Sequence, residues 1–433
     1  MSVFALLILM ANVVMLFKLP RRWAMLPFLV GVCYIPAASV MQLGPFHFSA
    51  VRILIIAGVI RVLKKRERLT GRLNGMDWLL VFWGLWAVFS GLFHKDPSAA
   101  VVYRLGLVYD ACGIYFLLRA FCQKIEDIEG MCCLLAIILL PVAAEMLYEK
   151  ITAHNLFSLL GGVSPIPYIR DGKIRANGPF SHAILAGTIG AVCLPMVICL
   201  WETQRKKALM GVTACLVMVF SSTSSGPLMS TAASIGALFM WRFRDNMKLV
   251  RWMAVFAYIG LDIVMKDPAY FIMARIDLTG SSTGWHRAEL IHSAIVHLSE
   301  WWLIGTDFTR HWMPTGVTWS AAHTDITNHF LKMGVIGGLP LLLLFAAMLV
   351  KGFSYVGQIL RWRDLPSESR FMTWALGASL FSHASTFLAV SYFDQSFVFI
   401  YLTLAVIGSG ISWCNESKAT ARVDNLSHMN STR

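Results

Sequence analysis

Long apolar runs separated by short polar connectors make up most of the chain. The runs lie at 2–18, 23–43, 48–64, 77–94, 98–121, 129–148, 179–201, 207–221, 225–241, 249–265, 327–350, 370–390 and 394–413. About 20 helical residues cross the hydrocarbon core of a membrane, and the runs lack the two-residue alternation of barrel strands. The pattern predicts an all-α polytopic membrane protein with thirteen transmembrane helices, or twelve if the first run does not cross.

Two polar intervals are longer than the other connectors. The larger one contains helical periodicity from Gly284 to Ile304, with Ser282 or Thr283 as the expected N-cap, so we expect it to be partly helical. The chain then divides into a transmembrane bundle at 1–265 with a small outer loop near 149–178, a large loop at 266–326, C-terminal transmembrane helices at 327–413, and a tail at 414–433. The polar composition of the tail predicts disorder.

Composition and charge fix the expected orientation. The net charge is +13, but only 14% of the residues are charged. Basic residues cluster in alternate connectors, at 21–22, 64–72, 119–124, 205–207, 242–251 and 351–370. By the positive-inside rule these connectors are cytoplasmic, which explains the basic excess without a nucleic-acid partner. The N-terminus and both long loops are then outside, so the outer face is expected to carry the function.

The small outer loop ends in a motif that predicts an anion site. Arg175 precedes Gly178 and Pro179, which predict a turn and the start of the next helix, and His182 follows. An arginine beside a helix N-terminus can bind phosphate or diphosphate. The alternative is an interfacial arginine that contacts lipid head groups.

The large loop contains the other candidate residues. Arg287, next to His286, is a second candidate anion ligand, although it could also be a solvated arginine near Glu289. Arg310 lies in the middle of the loop and is interpreted as acceptor-facing or structural. We expect Arg287 and Arg175 to meet across the mouth of the bundle.

The end of the large loop contains a candidate general base. His323 and His329 are six residues apart, with Asp325 between them. A histidine oriented by a carboxylate is a good general base, so His323 and His329, with Asp325, are both candidates. A helix would not place the two histidines on one face, so no metal site is predicted. A histidine at a helix N-terminus or at the membrane interface is the structural alternative.

These motifs, taken in order, resemble those of the O-antigen ligase and polymerase family of bacterial envelope proteins. The first has the form R-x-x-G-x-F-x-H, at 175–182. The second is Arg287, followed by an apolar segment ending in glycine at 302–305. The third is His323, eleven residues before a G-x-x-G at 334–337. Thr324 replaces a common asparagine, and the turn at 221–226 lacks an arginine that is common there.

The resemblance implies a GT-C-like membrane glycosyltransferase of the bacterial inner membrane that needs no metal or cofactor. Such an enzyme transfers a glycan from undecaprenyl diphosphate to an acceptor hydroxyl of a glycan or lipid on the periplasmic side. Arg175 and Arg287 would bind the diphosphate. The register anchored on the G-x-x-G at 334–337 makes His323 the base, with Asp325 to orient it, and His329 is the second choice. A flippase for lipid-linked glycans and a non-catalytic polysaccharide assembly protein are the alternatives. The transporter alternative predicts polar groups at mid-membrane, whereas the candidate residues cluster outside.

Overall fold

Helices account for most of the computed structural model, which describes residues 1–43, 46–275, 284–362 and 365–431. The helices are α1 (Val3–Lys18), α2 (Met25–Tyr34), α3 (Ala50–Lys65), α4 (Gly75–Gly91), α5 (Pro97–Phe121), α6 (Ile125–Thr152), α7 (Ala183–Ile198), α8 (Arg205–Ser221), α9 (Ser225–Phe239), α10 (Met247–Val264), α11 (Ile272–Arg275), α12 (Gly284–Val296), α13 (Leu298–Trp301), α14 (His329–Leu360), α15 (Ser367–Phe387) and α16 (Phe397–Ser431). Two antiparallel hairpins complete the described fold, β1 (Val40–Leu43) with β2 (Phe46–Ser49) and β3 (Tyr168–Arg170) with β4 (Lys173–Arg175). The prediction of an all-α protein is confirmed.

The predicted apolar runs coincide with helices α1–α10 and α14–α16. Within the described residues, five helices are long and apolar enough to cross a membrane, namely Pro97–Phe121, Ile125–Thr152, Ala183–Trp201, His329–Leu360 and Phe397–Ala419. These helices are compatible with a multi-pass membrane protein. The number of crossings and their orientation stay predictions.

Three boundaries differ from those predicted. The run at 23–43 forms only a ten-residue helix, because Pro36 follows α2 closely and residues 40–43 pair with β2. Helix α7 starts at Ala183 rather than at Pro179, because His182 caps it and the Asn177 side chain donates to the carbonyls of Gly178 and Phe180. The tail continues α16 to Ser431 rather than being disordered, and its sequence contains no proline or glycine after Gly410.

The large loop is partly helical, as predicted. The expected helix at 284–304 is divided into α12 and α13, and its proposed caps Ser282 and Thr283 lie outside the described residues. The loop has a small hydrophobic core of its own, formed by Leu290, Ala294, Trp301, Trp312 and Met313.

Glycines join the large loop to α14. Helix α14 is kinked at Gly337 and Gly338, and Gly338 has a positive φ of 74°. The Leu339 amide donates to the Trp302 carbonyl at 2.7 Å, and the Thr306 amide donates to the Val335 carbonyl at 3.0 Å. A Cβ at Gly338 would lie only 2.2 Å from the Leu303 carbonyl oxygen. Residues 302–306 of the large loop therefore pack against residues 335–339 of α14, and these contacts hold the loop on the bundle.

Candidate anion-binding site

A cavity of about 440 Å³ lies where the small outer loop, the turn between α8 and α9, and helix α12 come together. Five basic side chains and one acidic side chain line it, so the cavity is electropositive. The lining residues are Lys150, Arg170, Asp171, Lys173, Arg175, Ile184, Val219, Phe220, Thr223, Ser224, Ser225, Leu228 and Arg287. The structure brings Arg175 and Arg287 to one cavity, as the sequence predicts.

The β3–β4 hairpin positions Arg175. Asp171 and Gly172 form its two-residue turn, both with positive φ, which is the geometry that Asp-Gly favours in hairpins. The Arg175 side chain reaches the cavity from the end of β4, and the residue is only 6% exposed. That burial does not fit an arginine spread over lipid head groups.

Only some of the hydrogen-bond donors of the Arg175 guanidinium group have partners among the described residues. One of its Nη atoms donates to the Ser224 hydroxyl, while its Nε is buried and has no partner. Burial, and then the nearby charge of Arg170, lower the pKa of Arg175. Among the described residues, the guanidinium therefore forms no ion pair with a carboxylate, which a buried cation ordinarily requires.

The backbone around Arg175 is held firmly by the end of α6. The Lys150 Nζ donates to the Ile174 carbonyl at 3.2 Å and to the Thr223 hydroxyl. The Glu149 carboxylate accepts from the amides of Asn177 at 3.1 Å and Gly178 at 2.8 Å. These contacts place the hairpin between α6 and the α8–α9 turn, so the position of Arg175 is set by the bundle.

The N-terminus of α9 also opens onto the cavity. Ser224 is the N-cap residue of this helix, and Ser225 and Leu228 of its first turn line the cavity. The first backbone amides of a helix carry a partial positive charge and bind anions. The helix that follows Pro179, α7, reaches the cavity through Ile184 of its first turn, and α9 is a second helix whose first turn lines it.

Arg287 lines the cavity from helix α12. Its Nε is buried without a partner, and no hydrogen bond or ion pair connects its side chain to the part of the chain that the structure describes. Burial lowers the pKa of Arg287. Glu289, the expected neighbour, does not neutralise it.

His323 and Asp325 are not among the residues that line this cavity. The His323 ring packs near Trp319, with 5.8 Å between ring centroids, and Asp325 is exposed. No hydrogen bond joins the two side chains in the described structure. Helix α12 nevertheless connects this segment to the cavity, because the His286 ring lies 3.3 Å from the Asp325 carbonyl oxygen and Arg287 is the next residue.

The second-choice base, His329, lies in the protein core. It is 7% exposed, its ring stacks on Phe387 at 4.5 Å, and its Nδ1 accepts from the Tyr392 amide at 3.3 Å. This environment fits the structural interpretation of His329. Solvent or a polar acceptor has little access to it.

The side chains of His182 and Arg310 form hydrogen bonds with backbone groups of nearby residues. The Nδ1 of His182 accepts from the Ile184 amide at 3.1 Å, and burial, followed by the charge of Arg175, lowers the pKa of His182 to about 4. Arg310 donates to the carbonyls of Met313 at 2.8 Å and Pro314 at 3.1 Å. Arg310 therefore stabilises the loop, which is the structural one of its two interpretations.

Sequence reasoning missed Lys150, Lys173 and the serines of the α8–α9 turn. The Asp171-Gly172 pair could have revealed the hairpin and thus the proximity of Lys173 to Arg175. Lys150 could have been noticed as a cation in the last turn of a helix that leads into the small loop. Nothing local in the sequence places Ser224 beside Arg175, because the two are 49 positions apart.

Models of known protein families give no match to this chain, and neither do curated protein sequences.

Proposed function

We propose that the chain is a metal-independent inverting glycosyltransferase of the bacterial inner membrane. It moves a glycan from undecaprenyl diphosphate to the hydroxyl of a glycan or lipid acceptor on the periplasmic side. The observation that carries this proposal is the pair Arg175 and Arg287, two largely buried guanidinium groups that share one cavity and form no ion pair with a carboxylate of the described residues.

The cavity suits the diphosphate. Two arginines, Lys150 and the first amides of α9 offer donors to phosphate oxygens from several directions. As the bond between the sugar C1 and the phosphate oxygen breaks, negative charge grows on the lipid diphosphate that leaves. Positioned cations that meet this growing charge lower the barrier more than they stabilise the bound donor.

Apolar side chains line the cavity beside the cations. Ile184, Val219, Phe220 and Leu228 belong to helices α7, α8 and α9, which the apolar pattern assigns to the membrane. This combination suits a lipid diphosphate, whose charged head needs cations and whose isoprenoid chain needs apolar surface.

His323 is the proposed base. The acceptor hydroxyl attacks C1 on the face opposite to the diphosphate, its proton passes to a ring nitrogen of His323, and the lipid diphosphate leaves with the electrons of the C1–O bond. The contact of His286 with the Asp325 backbone brings the His323 segment to the helix that carries Arg287. Asp325 would help through its local charge, because its carboxylate is not bonded to the histidine.

Lys150 can supply the cation that the turn at 221–226 lacks relative to the family pattern. Its Nζ bonds to the hydroxyl of Thr223 within that turn and lies in the cavity lining. A lysine from a neighbouring helix would thus replace an arginine of the turn.

The test uses purified protein in liposomes with an undecaprenyl-diphosphate-linked glycan and an acceptor from the same envelope. We expect release of free undecaprenyl diphosphate that requires the acceptor. His323→Ala should abolish the release of undecaprenyl diphosphate. A folded His329→Ala variant should release it at the wild-type rate. The control His47→Ala, which changes an exposed histidine, should do the same.

The alternatives give different results in the same assay. A flippase would move the glycan across the bilayer without releasing free lipid diphosphate. A non-catalytic assembly protein would do neither. Normal release from His323→Ala together with loss in His329→Ala would transfer the role of base to His329.

A further inference from the structure

Three side chains of the large loop converge in a cluster apart from the cavity. His297 precedes α13, Glu300 lies within it, and His311 lies on a short 3₁₀-helix at Arg310–Trp312. The Nδ1 of His297 is 2.7 Å from one Glu300 carboxylate oxygen, and the Nε2 of His311 is 2.9 Å from the other. The three potential ligand atoms all lie within 4.8 Å of one another.

This set of donors suits a transition metal. Two imidazole nitrogens and one carboxylate oxygen form a ligand set that binds Zn²⁺ with a fourth position open to water. Metal–ligand distances of about 2.1 Å place tetrahedral ligand atoms about 3.4 Å apart. The cluster is therefore close to the required size, and its side chains, each about one-third exposed, have room to adjust.

The surroundings of the cluster hold the ligands in orientation. The buried Trp312 points its Nε1 at a Glu300 carboxylate oxygen, 3.3 Å away. The His297 ring lies parallel to the Trp312 ring, and Phe308 stacks on His311 with 5.1 Å between centroids. Partners of this kind fix the geometry of metal ligands and raise their affinity.

We propose that His297, Glu300 and His311 bind a divalent transition-metal ion that fastens α13 to the 3₁₀-helix of the large loop. Trp301 and Trp312 belong to the hydrophobic core of that loop, so the metal would stabilise the same unit from its surface. None of the three ligands lines the anion cavity, so the proposal is independent of the glycosyl transfer. A metal ion held here would take no part in that reaction.

The test is a zinc-binding measurement on the full chain in detergent, purified with a tag that contains no histidine and treated with EDTA. We expect one Zn²⁺ per chain by titration calorimetry, a rise in the unfolding midpoint with Zn²⁺, and no comparable effect of Mg²⁺. The double variant His297→Ala with His311→Ala should lose both effects. His154→Ala, which changes an exposed histidine outside the cluster, should keep them.

Milder variants keep the proposal falsifiable if the double variant fails to fold. Trp312→Phe removes only the N–H directed at Glu300 and should weaken Zn²⁺ binding about 10–100-fold. Glu300→Gln should weaken it at least as much. Absence of saturable Zn²⁺ binding by the wild type, or equal affinity in Glu300→Gln and the wild type, would overturn the proposal.

Discussion

Arg119 in the bundle and the two arginines of the cavity differ in how their charge is compensated. Between α4 and α5, Arg119 donates to both carboxylate oxygens of Asp77 and also to the Thr70 carbonyl and the Ser412 hydroxyl. At the cavity, Arg175 donates to a single hydroxyl, and Arg287 is without a bonded partner among the described residues.

The difference lies in whether the described chain provides a carboxylate for the buried guanidinium group. Removing a cation from water is costly unless an anion compensates it. The bundle supplies that anion itself for Arg119, and likewise for Arg52 with Asp110 and Arg61 with Glu67. At the cavity, Arg175 and Arg287 form no ion pair with a carboxylate among the described residues, and we propose that an anionic ligand compensates their charge.

The largest expected effect is on stability and concerns the ion pair of Asp77 and Arg119. Asp77→Ala leaves Arg119 buried and charged without its counter-ion, which should destabilise the protein by about 3–5 kcal/mol. The double variant Asp77→Leu with Arg119→Met removes both charges and should recover most of that stability. Unfolding in detergent, followed by intrinsic fluorescence, measures both. If the single and double variants were equally unstable, the loss would come from the other bonds of Asp77, which accepts from the Asn74 amide and the Tyr115 hydroxyl, rather than from the unpaired charge of Arg119.

At the cavity, we expect removal of an arginine to reduce activity without reducing stability. Arg175→Met or Arg287→Met should reduce glycan transfer about 100–1000-fold, because each removes a cation aimed at the leaving diphosphate. The unfolding midpoint should stay the same or rise, because an uncompensated buried charge is removed. Arg275→Met, which changes an exposed arginine of the same loop, serves as the control. A large loss of stability in Arg287→Met would contradict the distinction between the two settings.

Lys150 should matter less than either arginine. Lys150→Met removes one cation and its bonds to Ile174 and Thr223, and we expect about a tenfold loss of transfer rate. Lys206→Met changes an exposed lysine at the far end of α8 and should have no effect. Equal rates for the two variants, measured at saturating donor, would remove Lys150 from the site.

His182 gives the smallest and most specific effect. Its pKa falls from an ordinary value of 6.5 to about 4, through burial first and the charge of Arg175 second. The unfolded chain therefore takes up a proton below pH 6.5 that the folded chain does not accept until about pH 4, so stability is lost as the pH falls through that window. His182→Asn keeps a helix-capping side chain and should make the unfolding midpoint less sensitive to pH there. An unchanged pH profile would show that another group is responsible.

The sequence predicts the all-α class and the position of most helices, because long apolar runs leave few alternatives to a helix in a membrane. It also predicts that Arg175 and Arg287 share a site, because both lie in long loops that the charge pattern assigns to the outer face. It does not predict the β3–β4 hairpin, whose strands are only three residues long, or the part that α9 plays in the cavity. Those features depend on contacts such as that between Arg175 and Ser224, which no local pattern records.

The most direct measurement is the binding of a prenyl diphosphate to the purified protein in nanodiscs, with the corresponding prenyl alcohol as the reference ligand. We predict that the wild type binds the diphosphate more tightly than the alcohol. The double variant Arg175→Met with Arg287→Met should lose that preference and remain folded. Equal preference for the diphosphate in the wild type and in a folded double variant would contradict the claim that these two arginines bind an anionic ligand.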